Sequence, residues 1–214
     1  MTSRLLLLGA TGAVGSAVLG QALADPRVAE VIAPTRRPLA AATRLVNVVV
    51  DFENLPEQSP WWAVDAVVCA LGTTRHVAGS MQKFAAVDRD VPLRIAQLAR
   101  AAGAERFVLN SSLGADAGSS NFYLRTKGET EDGIGRLGYP GYTIVRPALI
   151  DTHRAESRPA ESVSLALLRA LRPLIPLRWQ PVTPEEIARA LLDGALEPVP
   201  RKQIVESEAL HRQR

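Results

Sequence analysis

The stretch Leu5-Leu6-Leu7-Leu8-Gly9-Ala10-Thr11-Gly12-Ala13-Val14-Gly15 decides the fold of this chain. An apolar run, three glycines spaced three apart and the small-residue start Ser16-Ala17-Val18 together predict a strand, a tight turn and a helix. Glycines let a backbone approach an anion closely, and the free N–H groups of a helix start bind it. The sequence therefore predicts a dinucleotide-binding turn whose contacts come from Gly9, Thr11, Gly12, Ala13, Val14 and Gly15.

Two other interpretations of this stretch are weaker. The spacing is G-x-x-G-x-x-G, not G-x-G-x-x-G, so an ordinary strand-to-helix turn is the first alternative. The second is a signal peptide, but the strongly apolar part covers only residues 5–8, and glycines interrupt the residues after it. No other stretch is long and apolar enough to span a bilayer, so a cytoplasmic protein without a membrane partner is expected.

Composition is that of one globular domain over residues 1–214. Of the 214 residues, 47% are hydrophobic and 22% charged. The formal net charge of +3 comes from scattered arginines without a basic run, which argues against nucleic-acid binding. Cys69 is the only cysteine and lies in an apolar run, as expected for a buried structural thiol.

Short apolar runs alternate with intervals that can hold helices, which predicts an α/β protein with a doubly wound parallel sheet, the Rossmann fold. After residues 5–8, the predicted strands are 28–33, 45–50, 66–70, 107–109, 143–145 and 203–206. The predicted helices cover 13–24, 81–101 with a kink or restart at Pro92, 123–137, and a segment from a capping box at Thr183 to about Gly194. Residues 151–181 are predicted to form a small substrate-side insertion, with an apolar helical piece around 163–171.

The end of the second strand indicates which cofactor is bound. An acidic side chain there would hold the ribose hydroxyls of NAD, but this chain has Arg36 and Arg37 instead. A guanidinium can make paired hydrogen bonds to a 2′-phosphate, so NADP(H) is predicted over NAD(H), with solvated surface arginines as the alternative. Asp51, after the third strand, is either an acceptor for the adenine amine or an ordinary turn residue.

A serine hydroxyl, a phenol and an ammonium are expected at the carboxyl edge of the sheet. Ser111 and Ser112 end the fifth strand, and Tyr123 and Lys127 lie four apart on the helix that comes next. A phenol could donate a proton to a carbonyl oxygen, a serine could hydrogen-bond that oxygen, and a nicotinamide could supply the hydride. Tyr123 and Lys127 could also be an ordinary solvated pair; either serine could act, and Ser112 is preferred.

The order of these motifs resembles the atypical short-chain dehydrogenases/reductases. Within them, the chain is similar to the Tat-interacting-protein branch in the runs Cys69-Ala70-Leu71-Gly72-Thr73-Thr74-Arg75, Val87-Asp88-Arg89-Asp90, Ser111-Ser112-Leu113-Gly114-Ala115 and Lys127-Gly128-Glu129. The resemblance covers nearly the whole chain. It implies an extended-type Rossmann domain that binds NADPH, with Tyr123, Lys127 and a serine in catalytic positions. It also implies that Lys127 binds the nicotinamide ribose and that Leu71, Gly72, Thr73, Arg146 and Pro147 line the cofactor.

The leading hypothesis is an NADPH-dependent oxidoreductase that acts on a small carbonyl or alcohol. The alternatives are an NADPH-binding regulator or sensor with little turnover, and an enzyme like the sugar-nucleotide epimerases and dehydratases, for which residues after Asp151 offer little room. No metal site is predicted, because His76, His153 and His211 lack ligand spacing and are interpreted as surface or loop residues. The apolar piece 165–168 is interpreted as core or lid, with a homodimer contact as the alternative.

Overall fold

The computed structural model describes residues 2–73, 78–151, 176–198 and 201–211. Its centre is one seven-stranded sheet in which every neighbouring pair of strands is parallel. The strands are β1 (Ser3–Leu8), β2 (Val28–Thr35), β3 (Leu45–Val49), β4 (Ala66–Cys69), β5 (Arg106–Asn110), β6 (Gly141–Arg146) and β7 (Gln203–Glu206). Their order across the sheet is β3-β2-β1-β4-β5-β6-β7, which confirms the predicted Rossmann fold.

Helices cover both faces of this sheet. They are α1 (Ala13–Ala24), α2 (Met81–Ala85), α3 (Val91–Ala101), α4 (Phe122–Arg136), α5 (Pro184–Leu196) and α6 (Ser207–Leu210). A π-helical turn, Ala86–Asp90, joins α2 to α3, and Pro92 lies in the first turn of α3. The predicted helix over 81–101 is therefore present, with its irregularity just before the proline.

The core forms two layers because successive side chains of a strand point to opposite faces. Leu5 and Leu7 pack on the face covered by α1 and α5, whereas Leu6 and Leu8 pack on the face covered by α3 and α4. All four leucines are at most 1% exposed. β1 is thus an inner strand buried on both sides, as its continuous apolar sequence requires in a parallel sheet.

Several predicted boundaries need correction. β2 continues past Pro34, because Thr35 still pairs with Val49 and its carbonyl accepts the N–H of Val50. Unlike β1, the outer strands β3 and β7 are partly exposed at the sheet edges, where Val49 is 56% and Ile204 39% exposed. The capping box at Thr183 is present, and α5 runs two residues beyond the predicted end to Leu196. Residues 163–171 lie outside the described part, as does most of the predicted insertion.

Candidate nucleotide and active site

The glycine turn lies at the carboxyl end of β1, beside the point where the strand order reverses between β1 and β4. Gly9 has φ of +81°, a conformation that favours glycine, and its carbonyl accepts the N–H of Gly12 at 2.9 Å. A Cβ at Gly9 would lie 2.6 Å from the carbonyl oxygen of Ala70, and one at Gly15 would lie 1.9 Å from that of Gly9. The turn therefore has no room for side chains at these two positions.

The start of α1 is built to receive an anion. Gly12 is the N-cap residue and offers no side-chain hydrogen bond, so the first backbone N–H groups of the helix are left for a ligand. Thr11, Gly12 and Ala13 are exposed, whereas Val14 is buried in the core and anchors the first turn. This local structure fits the pyrophosphate of a dinucleotide.

Arg36 and Arg37 lie directly after β2 in an exposed loop. Asn47 fixes this loop: its amide nitrogen donates to Thr35 Oγ1 at 2.8 Å, and Thr35 Oγ1 in turn donates to the carbonyl oxygen of Arg37 at 2.7 Å. Within the described part of the chain, neither guanidinium forms an ion pair. The loop thus carries two exposed guanidiniums at the sheet edge, and no carboxylate among the described residues pairs with them.

Asp51 is exposed and serves its own turn. Its carboxylate accepts the backbone N–H of Glu53 at 3.0 Å and the side-chain amide of Asn54 at 2.7 Å. These hydrogen bonds, that of Asn54 first, lower the pKa of Asp51. Asp51 thus stabilises its own turn by accepting hydrogen bonds from the residues two and three positions after it. A contact with adenine stays a prediction.

The loop after β4 brings the predicted cofactor side and the predicted catalytic side together. Leu71 N and Ala70 O lie within 2.8 Å of the place that a Cβ of Gly9 would take. One residue further on, a Cβ at Gly72 would lie 3.8 Å from Lys127 Nζ and 3.5 Å from Asp88 Oδ1. The glycine turn, this loop and the side chain of Lys127 are therefore successive neighbours at the carboxyl edge.

Lys127 is buried and paired. Its side chain is 6% exposed, and its Nζ lies 2.8 Å from Oδ1 of Asp88, whose side chain is fully buried. Burial lowers the pKa of Lys127, but attraction by Asp88, and then by Tyr123, outweighs burial and leaves that pKa above its ordinary value. Lys127 is thus a fixed ammonium and not one half of a solvated Tyr/Lys pair.

Tyr123 lies one helical turn before Lys127 and is half-buried. Asn121 caps α4 by accepting the N–H groups of Tyr123 and Leu124 through its side-chain oxygen. The ring of Tyr123 packs 5.7 Å from that of Phe84 on α2, measured between centroids. The cap and this aromatic contact together orient the phenol at the start of the helix.

The two serines after β5 have different surroundings. Ser111 is 5% exposed, and its hydroxyl donates to Oε1 of Glu131 at 2.5 Å. Ser112 is half-buried, and its hydroxyl has a long 3.4 Å contact with the carbonyl oxygen of Leu113. The hydroxyl of Ser111 is therefore engaged in a buried hydrogen bond, whereas Ser112 is partly exposed and its hydroxyl has only a long contact within the described residues.

Arg146 is engaged by carboxylates. Its Nε and one terminal nitrogen donate to Glu131 at 3.0 and 2.5 Å, and its other terminal nitrogen donates to Glu206 at 3.1 Å. These hydrogen bonds, that of Glu131 first, raise the pKa of the guanidinium. Pro147 is buried, and its carbonyl accepts the N–H of Leu113 at 2.9 Å. Arg146 thus connects β6 to α4 and β7, and Pro147 connects the end of β6 to the segment after β5. That these two residues line the cofactor stays a prediction.

Sequence reasoning missed the roles of Asp88 and Glu131. A signal was present on α4, where polar residues recur at helical spacing on the face that turns inward: Thr126, Lys127, Thr130 and Glu131 are each at most 5% exposed. Polar side chains on such a face need buried partners. His211 was wrongly interpreted as a surface residue, since it is 9% exposed; His76 and His153 lie outside the described residues. In the ranges that are described, no three acidic, histidine or cysteine side chains cluster as metal ligands.

Sequence comparisons agree with the geometry. The family model described as NAD(P)H-binding matches residues 9–165. Protein HTATIP2 of Rattus norvegicus is 36% identical over 200 residues, which cover 90% of this chain and 81% of that protein. The protein fmp52, mitochondrial, of Emericella nidulans is 38% identical over 173 residues, which cover 77% of this chain and 74% of that protein.

Solved structures share the fold at low sequence identity. A putative NAD-dependent epimerase/dehydratase from Bacillus halodurans superimposes with a TM-score of 0.70 at 21% identity, over 99% of both chains. MoeE5 in complex with UDP-glucuronic acid and NAD has a TM-score of 0.72 at 19% identity, over 95% of this chain and 76% of MoeE5. These likenesses support the Rossmann fold.

The expected cytoplasmic location is contradicted by the relatives. Several fungal proteins of 32–40% identity carry the name fmp52, mitochondrial, which points away from the cytoplasm. Composition could not reveal this, because a location depends on targeting signals and not on the core of the fold. Among the helices that the structure describes, none is both long and apolar enough to cross a membrane.

Proposed function

The chain belongs to the NAD(P)H-binding family and is an atypical short-chain dehydrogenase/reductase resembling HTATIP2, and on that premise we propose that it is an NADPH-dependent oxidoreductase of small carbonyl compounds or alcohols. One observation carries the proposal. Tyr123 and the buried ammonium of Lys127 share one end of α4, and Lys127 adjoins the loop that packs on the glycine turn. This arrangement supports a role for Tyr123 as proton donor beside the proposed dinucleotide site.

Each side chain has a distinct task in carbonyl reduction. The phenol of Tyr123 donates a proton to the carbonyl oxygen, and the ammonium of Lys127 stabilises the negative charge that this leaves on the phenol. The hydroxyl of Ser112 donates a hydrogen bond to the same carbonyl oxygen and orients the substrate. When bound, the reduced nicotinamide supplies the hydride to the carbonyl carbon, so that an alcohol and oxidised cofactor result.

The preference for NADPH rests on Arg36 and Arg37. Asn47 and Thr35 hold their loop, and neither guanidinium is neutralised by a carboxylate in the described ranges. A 2′-phosphate placed at the end of β2 would meet two guanidiniums able to form charge-assisted hydrogen bonds. NADH lacks this phosphate and would gain nothing from them.

Calorimetric titration with NADPH and NADH tests the cofactor part of the proposal. The wild-type protein is expected to bind NADPH more tightly, and Arg36→Ala/Arg37→Ala is expected to weaken NADPH binding by about tenfold or more while NADH binding stays the same. Arg136→Ala is the matched control, because Arg136 is exposed on α4 away from the predicted site. Equal binding of both nucleotides by the wild-type protein would refute the preference.

Turnover tests the catalytic part. A panel of aldehydes and ketones is screened for NADPH oxidation with wild-type protein, Tyr123→Phe and the control Tyr142→Phe, whose tyrosine is buried on β6. Loss of about 10²- to 10⁴-fold in kcat is expected for Tyr123→Phe alone, the range for a positioned proton donor. Tight NADPH binding without turnover of any carbonyl would instead favour a regulatory or sensor role.

A further inference from the structure

Asp88 lies buried in the middle of a helical segment. It belongs to the π-helical turn Ala86–Asp90, and its side chain has no exposed surface. A carboxylate is removed from water at considerable cost unless charged and hydrogen-bonding partners replace the lost hydration. π-helical turns inside α-helices are frequent at functional sites, because the extra residue redirects side chains.

The partners of Asp88 come from two segments of the predicted site. One carboxylate oxygen lies 2.8 Å from Lys127 Nζ, and the other accepts the backbone N–H of Thr73 at 2.9 Å. The turn also contacts α4, since the hydroxyl of Thr130 lies 3.0 Å from the carbonyl oxygen of Asp88 and 2.8 Å from that of Thr126, and its one proton can be donated to either. A single carboxylate therefore joins the helix that carries Tyr123 to the loop predicted to line the cofactor.

We propose that Asp88 is a positioning residue of the reductase, which keeps Lys127 charged and fixed in place next to the loop 71–73. This rests on the proposed function, because positioning has a purpose only where Lys127 serves catalysis. In this role Asp88 acts through Lys127 and through the loop 71–73, and not by touching the substrate.

Electrostatics agree with this role. Among the described residues, three titratable groups act on Lys127: the carboxylate of Asp88 on the π-helical turn, the phenol of Tyr123 on α4 and the thiol of Cys69 on β4. Burial lowers the pKa of Lys127, and Asp88 is the largest of the charges that raise it again. Without the Asp88 charge, burial would dominate, and the ammonium would lose its proton at a lower pH than an exposed lysine.

The chain offers a clean way to observe this titration. It has only three lysines, and Lys83 and Lys202 are exposed references for Lys127. NMR of protein with 13C-labelled lysine follows each side chain against pH, and one Lys→Arg variant at a time assigns the signals. In wild-type protein, Lys127 is expected to stay protonated through the range in which the two references lose their protons. A wild-type Lys127 that titrates below both references overturns the proposal without any variant at Asp88.

Asp88→Asn removes the charge but keeps an oxygen that can accept the N–H of Thr73. The apparent pKa of Lys127 is expected to fall by about one unit or more, to below the references. The alkaline limb of the kcat profile for carbonyl reduction should move to lower pH with it. Asp90→Asn is the matched control, because this carboxylate ends the same turn but is 56% exposed and pairs with Arg89; it should move neither quantity.

An unchanged Lys127 titration in folded Asp88→Asn overturns the proposal, as does a lysine shift that leaves the pH profile of kcat in place. Failure of the proposed function looks different. It would appear as absent nucleotide binding or absent turnover in the wild-type protein, whereas the lysine titration is measured without cofactor or substrate.

Discussion

Replacing Glu131 by Gln should destabilise the fold far more than the same change two residues earlier. The Glu131 side chain is 5% exposed, and its carboxylate accepts hydrogen bonds from Ser111 and from two nitrogens of Arg146. A glutamine removes the negative charge, and its NH₂ group would face the hydrogen-bond donors of Ser111 or Arg146 without an acceptor between them. Arg146 is 20% exposed and, of the carboxylates in the described residues, would keep Glu206 alone.

The expected size depends on this burial. Removing one partner of a buried ion pair costs about 3–5 kcal/mol, and the surviving contact with Glu206 reduces that to about 2–4 kcal/mol. Glu129→Gln is the matched control on the same helix. Glu129 pairs with Arg89, both side chains are about one-third exposed, and such pairs contribute about 1 kcal/mol or less.

Urea unfolding measures both variants, since urea does not screen charges as guanidinium chloride does. Trp62 is 1% exposed and should report unfolding through its fluorescence. With an m value of about 2 kcal/mol/M, Glu131→Gln should lower the urea midpoint by about 1–2 M. Equal midpoints for Glu131→Gln and Glu129→Gln would refute the view that Glu131 ties α4 to β5 and β6.

Three further predictions test the described geometry. Gly15→Ala should abolish NADPH binding in calorimetry, because its Cβ would lie 1.9 Å from the carbonyl oxygen of Gly9; a variant that binds as tightly as wild type would show that the turn is not the nucleotide site. Ser112→Ala should lower kcat for carbonyl reduction and leave the thermal midpoint near that of wild type. Ser111→Ala should mainly lower the thermal midpoint, because Ser111, unlike Ser112, donates to a buried carboxylate. The reverse pattern would exchange the roles of the two serines. Cys69 should resist Ellman's reagent at pH 8 in the native protein and react in urea, because burial raises the pKa of its thiol to about 11; rapid reaction in the native state would contradict its burial.

The fold was predictable where its causes are local. α1 begins and ends where the sequence places it, because Gly12 precedes its first residue and Asp25-Pro26 stops it. The capping box at Thr183 likewise fixes the start of α5 within four residues of sequence. The exposure of β3 and β7 could not be read from their apolar residues, since it depends on where each strand lies in the sheet.

The site was predictable only in part, because its charged partners are distant in sequence. The spacing of Tyr123 and Lys127 places them on one helix, but Asp88 reaches Lys127 from 39 positions away through a π-helical turn that the sequence does not mark. The ion pairs of Arg146 with Glu131 and Glu206 were likewise not indicated by the sequence, and its predicted contact with the cofactor stays a prediction. Pairings of this kind are decided by packing between elements and not by local pattern.

Deuterium transfer is the most direct measurement of carbonyl reduction by this protein. NADPH deuterated at C4 of the nicotinamide, in each of its two stereochemical forms, is incubated with wild-type protein or Tyr123→Phe and a panel of aldehydes and ketones. Mass spectrometry is expected to find one deuterium at the former carbonyl carbon of a product alcohol, transferred from one stereochemical form only. Tyr123→Phe is expected to form deuterated alcohol at least about 10²-fold more slowly. If NADPH binds but no alcohol acquires deuterium from either form, the protein is not a carbonyl reductase for that panel and the catalytic assignment of Tyr123 is contradicted.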